Sequence, residues 1–382
     1  MNHPLSPAIC PRLIVKVGSS LLVDAAGAVR REWLTTLVAD IAARTLAGQQ
    51  VAVVSSGAIA LGARRLKLAR GGRANLEDAQ AAAAVGQIAL AGVWADLLGD
   101  HGITAAQMLV TLDDLEDRRR YLNASATLER LLSLKVVPVI NENDSVATHE
   151  IKFGDNDRLA ARIGAAARAQ GVVLLSDVDG LYTADPTRDA TATRIARVAR
   201  IDAKIAAMAQ VGTSSGMGSG GMASKIEAAR TATSAGADLV IVSGTEPHPL
   251  TRMAAGQHGT IFIAAAQARG RKAWLAGRLT VRGTIHIDAG ATRALASGAS
   301  LLAAGASRTE GQFARGDVVD IVGPDGNRIA RGLSEYDAVD AARITGLKTE
   351  AIAAVLGYAP RSALVHRDHM VALVHGDHMV RL

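Results

Sequence analysis

The sequence predicts an α/β fold, in which an open, mainly parallel sheet is sandwiched by helices and a smaller β-rich domain follows. Two observations predict the sheet. Short aliphatic runs alternate with helix-like segments, and each run ends in small polar residues. A third observation predicts the second domain, because the pattern changes after residue 263 to short strand-like runs between glycine-rich turns. The five aliphatic runs are residues 13–17, 51–54, 136–140, 172–175 and 239–242.

The polar residues after these runs predict where a ligand binds. In open α/β sheets, ligands lie beyond the carboxyl ends of the strands. We therefore expect the five following loops to share one crevice: residues 18–20, 55–57, 141–145, 176–177 and 243–244.

Composition limits the classes of protein. The 382 residues suggest two or three domains, and 49% hydrophobic with only 3% aromatic residues predicts an aliphatic core. The net charge of +6 suits anionic ligands, but it is spread along the chain and does not by itself indicate nucleic-acid binding. A single cysteine, Cys10, excludes an internal disulfide framework and fits a reducing compartment.

No membrane segment is expected. The first residues lack the apolar core of a signal peptide, and the longest apolar stretch, residues 79–98, is interrupted by Gln80, Gln87 and Asp96. We expect a soluble, cytoplasmic protein.

Residues 212–225 contain five glycines and lead into a helix with Lys225 in its first turn. Glycine lets backbone N–H groups close on an anion, and a helix start adds partial positive charge. A flexible linker is the alternative, but Met222, Ile226 and Ala229 share one helix face and Gly236 supplies a stop. The pattern favours a phosphate-binding loop, although the chain contains no Gly-Lys pair and hence no Walker loop.

Lys16 lies inside the first strand run, close to Gly18. Near the glycine loop it becomes a second ammonium group beside Lys225, and two cations converge only where an anion compensates them. A triphosphate is such an anion. Asp177, after the fourth run, is placed to hold the two lysines in position.

Two acidic segments, residues 141–144 and 154–157, follow a strand and open a helix, respectively. Together they offer carboxylates for an ammonium group and amides for a carboxylate, as a zwitterionic amino acid requires. Solvated turns are the alternative. A metal bound by such oxygen ligands would be magnesium and not zinc. We expect the basic segment 64–78 to be solvated surface and not a flap.

These motifs, in this order, resemble the amino acid kinase family, in the branch that phosphorylates the side-chain carboxylate of L-glutamate. They are KVGSS at 16–20, VSSGA at 54–58, VINEND at 139–144, FGDND at 153–157, DGLYTADP at 179–186 and GGMASK at 220–225. The resemblance implies the amino acid kinase fold, ATP and Mg²⁺ as cofactors, the first step of proline biosynthesis, and proline as feedback inhibitor. It also implies a homo-oligomer, a dimer or tetramer.

The resemblance also implies roles for individual residues. Lys16, Lys225 and Asp177 become catalytic, and Ser56, Asp144 and Asn156 become substrate-binding. No metal-ligating residue is assigned. Other acceptors used within the family, namely N-acetylglutamate, aspartate or a nucleoside monophosphate, stay open. The implied ATP-binding residues are Lys16, Ser176, Asp177, Ser219, Gly220, Gly221, Met222, Ala223, Ser224 and Lys225.

The change of pattern after residue 263 divides the chain into a catalytic domain (residues 1–263), a linker (264–275) and a last domain that resembles the PUA domain (276–382). The last carries DAGAT at 288–292, SLL at 300–302, GQFARGD at 311–317 and IARG at 329–332. PUA domains often bind RNA, so an RNA-binding regulatory protein stays open as an alternative function. No aromatic platform for base stacking is evident, however, which favours regulation or assembly.

The end of the chain repeats itself, with VHRDHM at 365–370 and VHGDHM at 374–379. Four histidines at this spacing allow metal binding, but we favour a tail duplication with solvated histidines because nothing fixes their geometry.

Overall fold

A computed structural model describes residues 3–24, 26–146, 156–208, 221–256, 259–264, 281–358, 361 and 363–372. The chain divides into two compact units, Met1–Arg269 and Gly270–Leu382. Apart from Ala264, the expected linker lies outside the described residues.

The first unit alternates strands and helices. Its elements are β1 Arg12–Val17, α1 Ser19–Leu22, α2 Arg31–Leu46, β2 Gln50–Val54, α3 Ala58–Leu66, a 3-10 turn Ala69–Gly72, α4 Leu76–Gly99, β3 Ala105–Val110, α5 Leu112–Glu116, α6 Arg118–Ser133, β4 Val137–Glu142, α7 Asn156–Ala166, β5 Gly171–Ser176, β6 Leu181–Tyr182, β7 Arg194–Ile195, β8 Arg197–Val198, α8 Ala203–Met208, α9 Met222–Ser234, β9 Asp238–Ser243, α10 Pro249–Ala254 and β10 Gly259–Phe262.

Eight of these strands form one sheet in the order β3-β4-β2-β1-β5-β9-β10-β8. All neighbours pair in parallel except β9 and β10, which are antiparallel. The five predicted runs lie in β1, β2, β4, β5 and β9, so the predicted α/β class is confirmed. The outer strands β3, β8 and β10 were not predicted.

The side chains of β1 alternate between two cores, one on each face of the sheet. Val15 shares one core with Leu37 of α2, and Ile14 shares the other with Ile163 of α7. All four side chains are fully buried. This explains why consecutive residues of β1, such as Ile14 and Val15, are apolar, as strands covered on both faces require.

Helix α4 is long and apolar enough to span a membrane by length and composition. Its Leu90, Trp94 and Leu98 are nevertheless buried in the core of the first unit, and Trp94 Nε1 donates to Ser55 Oγ at 3.1 Å. The first turn carries Glu77 and Asp78. One face of α4 therefore packs in the core of the first unit.

The second unit contains a five-stranded sheet in the order β12-β11-β13-β14-β15. One core, including Ile285, Ile321 and Tyr336, lies between this sheet and its helices. The elements are β11 Val281–Ile287, α11 Ala289–Ala296, a 3-10 turn Ala303–Gly305, β12 Ala306–Gly311, β13 Val318–Val322, β14 Arg328–Ser334, α12 Ala338–Ile344, α13 Thr349–Leu356 and β15 Val365–Ala372.

The first copy of the terminal repeat forms β15, which pairs with β14. His369 Nδ1 lies 3.2 Å from Glu335 Oε1, and the His369 side chain is only 13% exposed. The prediction of a solvated histidine is therefore wrong for His369, because β15 pairs with the sheet and holds this side chain beside Glu335. The second copy lies outside the described residues.

Candidate active site

A cavity of about 610 Å³ lies at the carboxyl ends of β1, β2, β4 and β5. Four of the five predicted polar loops line it, represented by Gly18, Ser56, Asn141 and Ser176. The prediction for the fifth loop, residues 243–244, is wrong. Gly244 packs against the core, and a Cβ at this position would lie 2.6 Å from Leu21 Cδ1.

Two buried lysines meet on one carboxylate in this cavity. Lys16 Nζ, from β1, lies 2.7 Å from Asp157 Oδ1, and Lys225 Nζ, from the first turn of α9, lies 3.0 Å from Asp157 Oδ2. The Asp157 side chain, in the first turn of α7, is fully buried. We expected Asp177 between the lysines, but the structure places Asp157 there.

The electrostatics of this triad favour a bound anion. Burial raises the pKa of Asp157, but the charges and hydrogen bonds of Lys16 and Lys225 outweigh it, so the pKa lies below its ordinary value. Two ammonium groups and one carboxylate leave one net positive charge in a largely water-excluded place. Such a charge interacts strongly with an incoming anion.

The start of α9 lies beside these lysines. Among the described residues, no side chain caps this helix, whose N-cap is Gly221. Its first backbone N–H groups therefore suit an anion. Gly221, Met222 and Lys225 line the cavity, whereas Ala223 is exposed and Ser224 half-buried in the same turn. Ser219 and Gly220 lie outside the described residues.

The loop after β5 forms one wall of the cavity. Ser176 Oγ donates to Asp177 Oδ1 at 3.0 Å, and the Asp177 side chain is exposed in that wall. Further along, Tyr182 Oη donates to Asp179 Oδ2 at 3.1 Å. This wall presents hydroxyl and carboxylate groups to the cavity.

The wall beyond β2 and β4 is built around Asn156. Its Nδ2 donates to Ser56 Oγ at 2.7 Å, to Ser55 O at 2.9 Å and to Asn141 Oδ1 at 3.1 Å. Within the described part of the chain, the buried Asn156 Oδ1 receives no hydrogen bond. Buried acceptors are normally satisfied, so this oxygen is suited to a donor from a ligand.

Asp144 lies in the same wall, half-buried beside Glu142. Burial, and then the charge of Glu142, raise the pKa of Asp144 to about 7. A cationic ligand relieves both effects, because it stabilises the ionised carboxylate. The Asn156 and Asp144 wall is therefore suited to an ammonium group.

The order of the strands separates the two walls. β2 and β4 lie on one side of β1, and β5 and β9 lie on the other. Lys16 at the end of β1 thus stands between a wall built by β2, β4 and α7 and a wall built by β5 and α9. Following the roles that the sequence predicts for their residues, we call these the acceptor side and the nucleotide side.

No individual role was predicted for some residues at the site. Asp157 was part of a recognised motif, and its place in a first helical turn beside Asn156 was the available signal. Asn141 and Glu142 follow the β4 run directly. Arg73 belongs to the basic segment that we expected to be solvated surface; its side chain is exposed, yet it lines the cavity.

No group of three or more His, Cys, Asp or Glu side chains suited to a metal ion occurs in the described ranges. Magnesium commonly binds through one or two carboxylates together with substrate phosphates. The acidic residues of the cavity fit an ion that arrives with a nucleotide better than one held by protein alone.

An open α/β sheet whose carboxyl edge carries two lysines on one buried carboxylate, beside an uncapped helix start, defines a phosphotransferase. The chain belongs to the amino acid kinase family, since the model of that family matches residues 11–243. Residues 283–356 match the PUA domain. Both resemblances inferred from the sequence are thereby confirmed.

Relatives match along almost the whole chain. The chain is 68% identical over 365 residues to the glutamate 5-kinase of Sphingopyxis alaskensis, covering 96% of this chain and 98% of that protein. Its identity to the glutamate 5-kinase of Zymomonas mobilis is 62% over 365 residues, covering 96% and 92%. Among solved structures, the UMP kinase of Bacillus anthracis is similar at 15% identity and a TM-score of 0.46, covering 67% of this chain and 97% of that chain.

Proposed function

We propose that this protein transfers the γ-phosphoryl group of ATP to the side-chain carboxylate of L-glutamate. The products are glutamyl 5-phosphate and ADP, and the reaction is the first step of proline biosynthesis. The observation that carries the proposal is the bridge of Lys16 and Lys225 by Asp157, between an acceptor side and a nucleotide side.

The chemistry requires charge neutralisation and not a general base. A glutamate side chain has a reference pKa of about 4.3, so it is an ionised nucleophile at neutral pH. The obstacle to the reaction is electrostatic repulsion between this carboxylate and the anionic phosphoryl group. Lys16 and Lys225 reduce this repulsion, and Asp157 keeps the two ammonium groups together although they repel each other. In addition, binding on the two sides holds the carboxylate and the γ-phosphoryl group in line for the transfer.

The nucleotide binds on the β5 and α9 side. The first turn of α9, with Lys225, holds the phosphates, and Ser176 and Asp177 hold the remainder of the nucleotide. Asp177 stays proposed as a catalytic residue in this wall, without the bridging role expected from the sequence. Mg²⁺ enters as the counter-ion of ATP, whose phosphate charge it reduces.

L-glutamate binds on the acceptor side. Its α-ammonium group meets Asp144 and Asn156 Oδ1, and Ser56 donates to the substrate from the start of α3. This arrangement disfavours N-acetylglutamate, because an acetylated nitrogen is uncharged and does not offer Asp144 the positive charge of an ammonium group. Aspartate is one methylene shorter and does not span the distance from ammonium site to lysines equally well.

Trapping the product with hydroxylamine tests the proposal. An acyl phosphate reacts with hydroxylamine to give a coloured hydroxamate with ferric ion, and we expect this product with ATP, Mg²⁺ and L-glutamate. N-acetylglutamate, aspartate and UMP serve as competing acceptors under the same conditions. Hydroxamate or ADP formation that is faster with one of these three would contradict the assignment of glutamate.

Further partners belong to the same proposal. L-proline shares the α-carboxylate and a charged nitrogen with glutamate, so it suits the acceptor side as a feedback inhibitor. A homo-oligomer, a dimer or tetramer, is supported by the apolar outer face of α4, where Ile88 is 75% exposed. A reduced, buried Cys10 suits the cytoplasm.

The PUA domain most plainly suits regulation or assembly. Of its described aromatic side chains, Phe313 and Tyr336 are buried in the core, and Tyr358 alone is exposed, with its hydroxyl donating to Asp340 Oδ2. One exposed ring does not make a platform for several stacked bases. Salt-dependent retention on RNA would identify a second role for this domain.

A further inference from the structure

We propose that Arg73 binds the α-carboxylate of the amino-acid acceptor and that Gly72 is the positioning residue that holds Arg73 at the cavity. The inference rests on the proposed function, because it assigns one charged group of glutamate to one side chain.

The place of Arg73 in the fold puts it on the acceptor side. It follows the 3-10 turn Ala69–Gly72, between α3 and α4. The same cavity is lined by the start of α3, from Gly57 to Ala60. Since α3 continues directly from β2, Arg73 belongs to the wall opposite the nucleotide side.

The charges around the cavity suggest a role for this side chain. Of the described residues that line it, the cationic ones are Lys16, Lys225 and Arg73. The lysines share Asp157 at the point of phosphoryl transfer, and Asp144 with Glu142 suits the ammonium group. Glutamate has a second carboxylate that requires a cation, and a guanidinium group binds a carboxylate through two parallel hydrogen bonds.

The Arg73 side chain is exposed, but the turn that precedes it is held in place at Gly72. Arg70, Gly71 and Gly72 are all left-handed, with φ of 50°, 61° and 74°. Gly72 is buried, and a Cβ there would lie 2.9 Å from Ala63 Cβ on α3 and 3.1 Å from Ala82 Cβ on α4. The turn is therefore wedged against both helices, which determines where the backbone of Arg73 starts.

The first test combines a variant with a matched change in the substrate. Arg73→Gln is compared with wild type in the hydroxylamine assay, using L-glutamate and its α-amide, which lacks the α-carboxylate charge. We expect Arg73→Gln to lower kcat/KM for glutamate about 10- to 100-fold, mainly through KM, as for loss of a charged hydrogen bond. Turnover of the α-amide should change little, so that the preference for glutamate nearly disappears. Arg73→Lys should restore part of it.

Arg70→Gln is the matched control. Arg70 is exposed in the same turn and is not among the residues that line the cavity, so its variant should keep the wild-type preference. Thermal unfolding of both variants checks that the fold is retained.

The second test concerns Gly72. Gly72→Ala should raise the KM for glutamate as Arg73→Gln does, because the turn moves away from α3 and α4. Gly71→Ala is its control: the backbone is equally left-handed, but a Cβ there meets nothing within 4 Å. We expect Gly71→Ala to retain a KM closer to wild type.

Two results would overturn the role of Arg73. One is an unchanged preference for glutamate over its α-amide in Arg73→Gln; the other is a raised KM for ATP in place of glutamate, which would assign Arg73 to the nucleotide. Failure of the proposed function is distinguishable. A wild-type protein that forms no hydroxamate from glutamate refutes the function itself, and this inference with it.

Discussion

At the scale of single residues, Asp157 is the centre of the site. It is fully buried, and it pairs with Lys16 and Lys225 from two other elements. Removing one member of a buried charge network leaves the others uncompensated, which costs more than the loss of a surface ion pair. Catalysis and stability therefore depend on the same three side chains.

Asp157→Asn should lower kcat about 10²- to 10³-fold, because the two ammonium groups are no longer held together. It should also make the free energy of unfolding depend less on pH in the acidic range. The folded-state pKa of Asp157 is lowered, so its stabilising effect is present above the unfolded-state pKa and is lost as pH falls through the folded-state pKa. Steady-state kinetics and unfolding across acidic pH measure both effects.

Asp100→Asn, at the exposed end of α4, is the control for Asp157→Asn. It removes a carboxylate outside the cavity lining and should alter neither quantity. A kcat within a few-fold of wild type in Asp157→Asn would contradict the bridging role.

Lys16→Ala and Lys225→Ala should each abolish most turnover and leave the fold intact, since Asp157 keeps the other lysine as a partner. We expect losses of about 10²- to 10³-fold in kcat, measured by hydroxamate formation, with near-native circular dichroism. Near-normal activity in either variant would remove that lysine from the mechanism.

The dependence of activity on pH should report Asp144. Its pKa is raised to about 7, so the carboxyl is protonated below that pH and ionised above it. Because the ionised form attracts the α-ammonium group of glutamate, kcat/KM for glutamate should rise as pH increases through about 7. Asp144→Asn should flatten this rise, and a rise that persists unchanged in the variant would assign it to another group.

At the scale of elements, the crossing of α3 and α4 supports the acceptor side. A Cβ on Gly62 would lie 1.7 Å from Ala82 O, and a Cβ on Gly86 would lie 1.7 Å from Ala58 O. Only glycine permits this approach. One residue further along α4, Gln87 Nε2 donates to Glu142 O at 3.3 Å, which links the crossing to the loop after β4.

Gly86→Ala should destabilise the fold by about 1–3 kcal/mol or more, because the helices have to move apart. Gly92→Ala is the control on the same helix, where a Cβ meets nothing within 4 Å. That variant should stabilise by about 0.5–1 kcal/mol through helix propensity. Urea unfolding of both variants measures the contrast, and equal effects would show that the close contact does not matter.

At the scale of the whole molecule, the chain consists of two units. The described residues that line the cavity belong to the unit Met1–Arg269, and each unit has its own hydrophobic core. A domain with its own core is able to fold alone.

Residues 1–269 expressed alone should therefore fold and phosphorylate glutamate with a kcat within about tenfold of the full chain, because the described residues that line the cavity all belong to that unit. Circular dichroism, unfolding and the hydroxylamine assay test this. A folded first unit without turnover would show that the PUA domain is required for catalysis.

Local sequence patterns predicted the central strands of the fold and part of the candidate site. Aliphatic runs with polar ends predicted the central strands, and Lys16, Lys225 and Gly221 were recognised because glycine-rich turns and strand-end lysines are local patterns. The strands β3, β8 and β10 were missed because their patterns are weak: β3 at one edge is only partly buried, and β8 and β10 have two and four residues.

Tertiary structure alone decided which charged groups meet. Asp157 and Asp177 both lie next to a buried segment, and nothing in the local sequence distinguishes them. The packing of α7 against β1 and α9 brings Asp157, and not Asp177, between the lysines. The same holds for Gly244, which the core covers, and for Arg73, which follows the buried Gly72 and lines the cavity. Partners are determined by distance in space, and residues far apart in the chain come together only when the helices dock on the sheet.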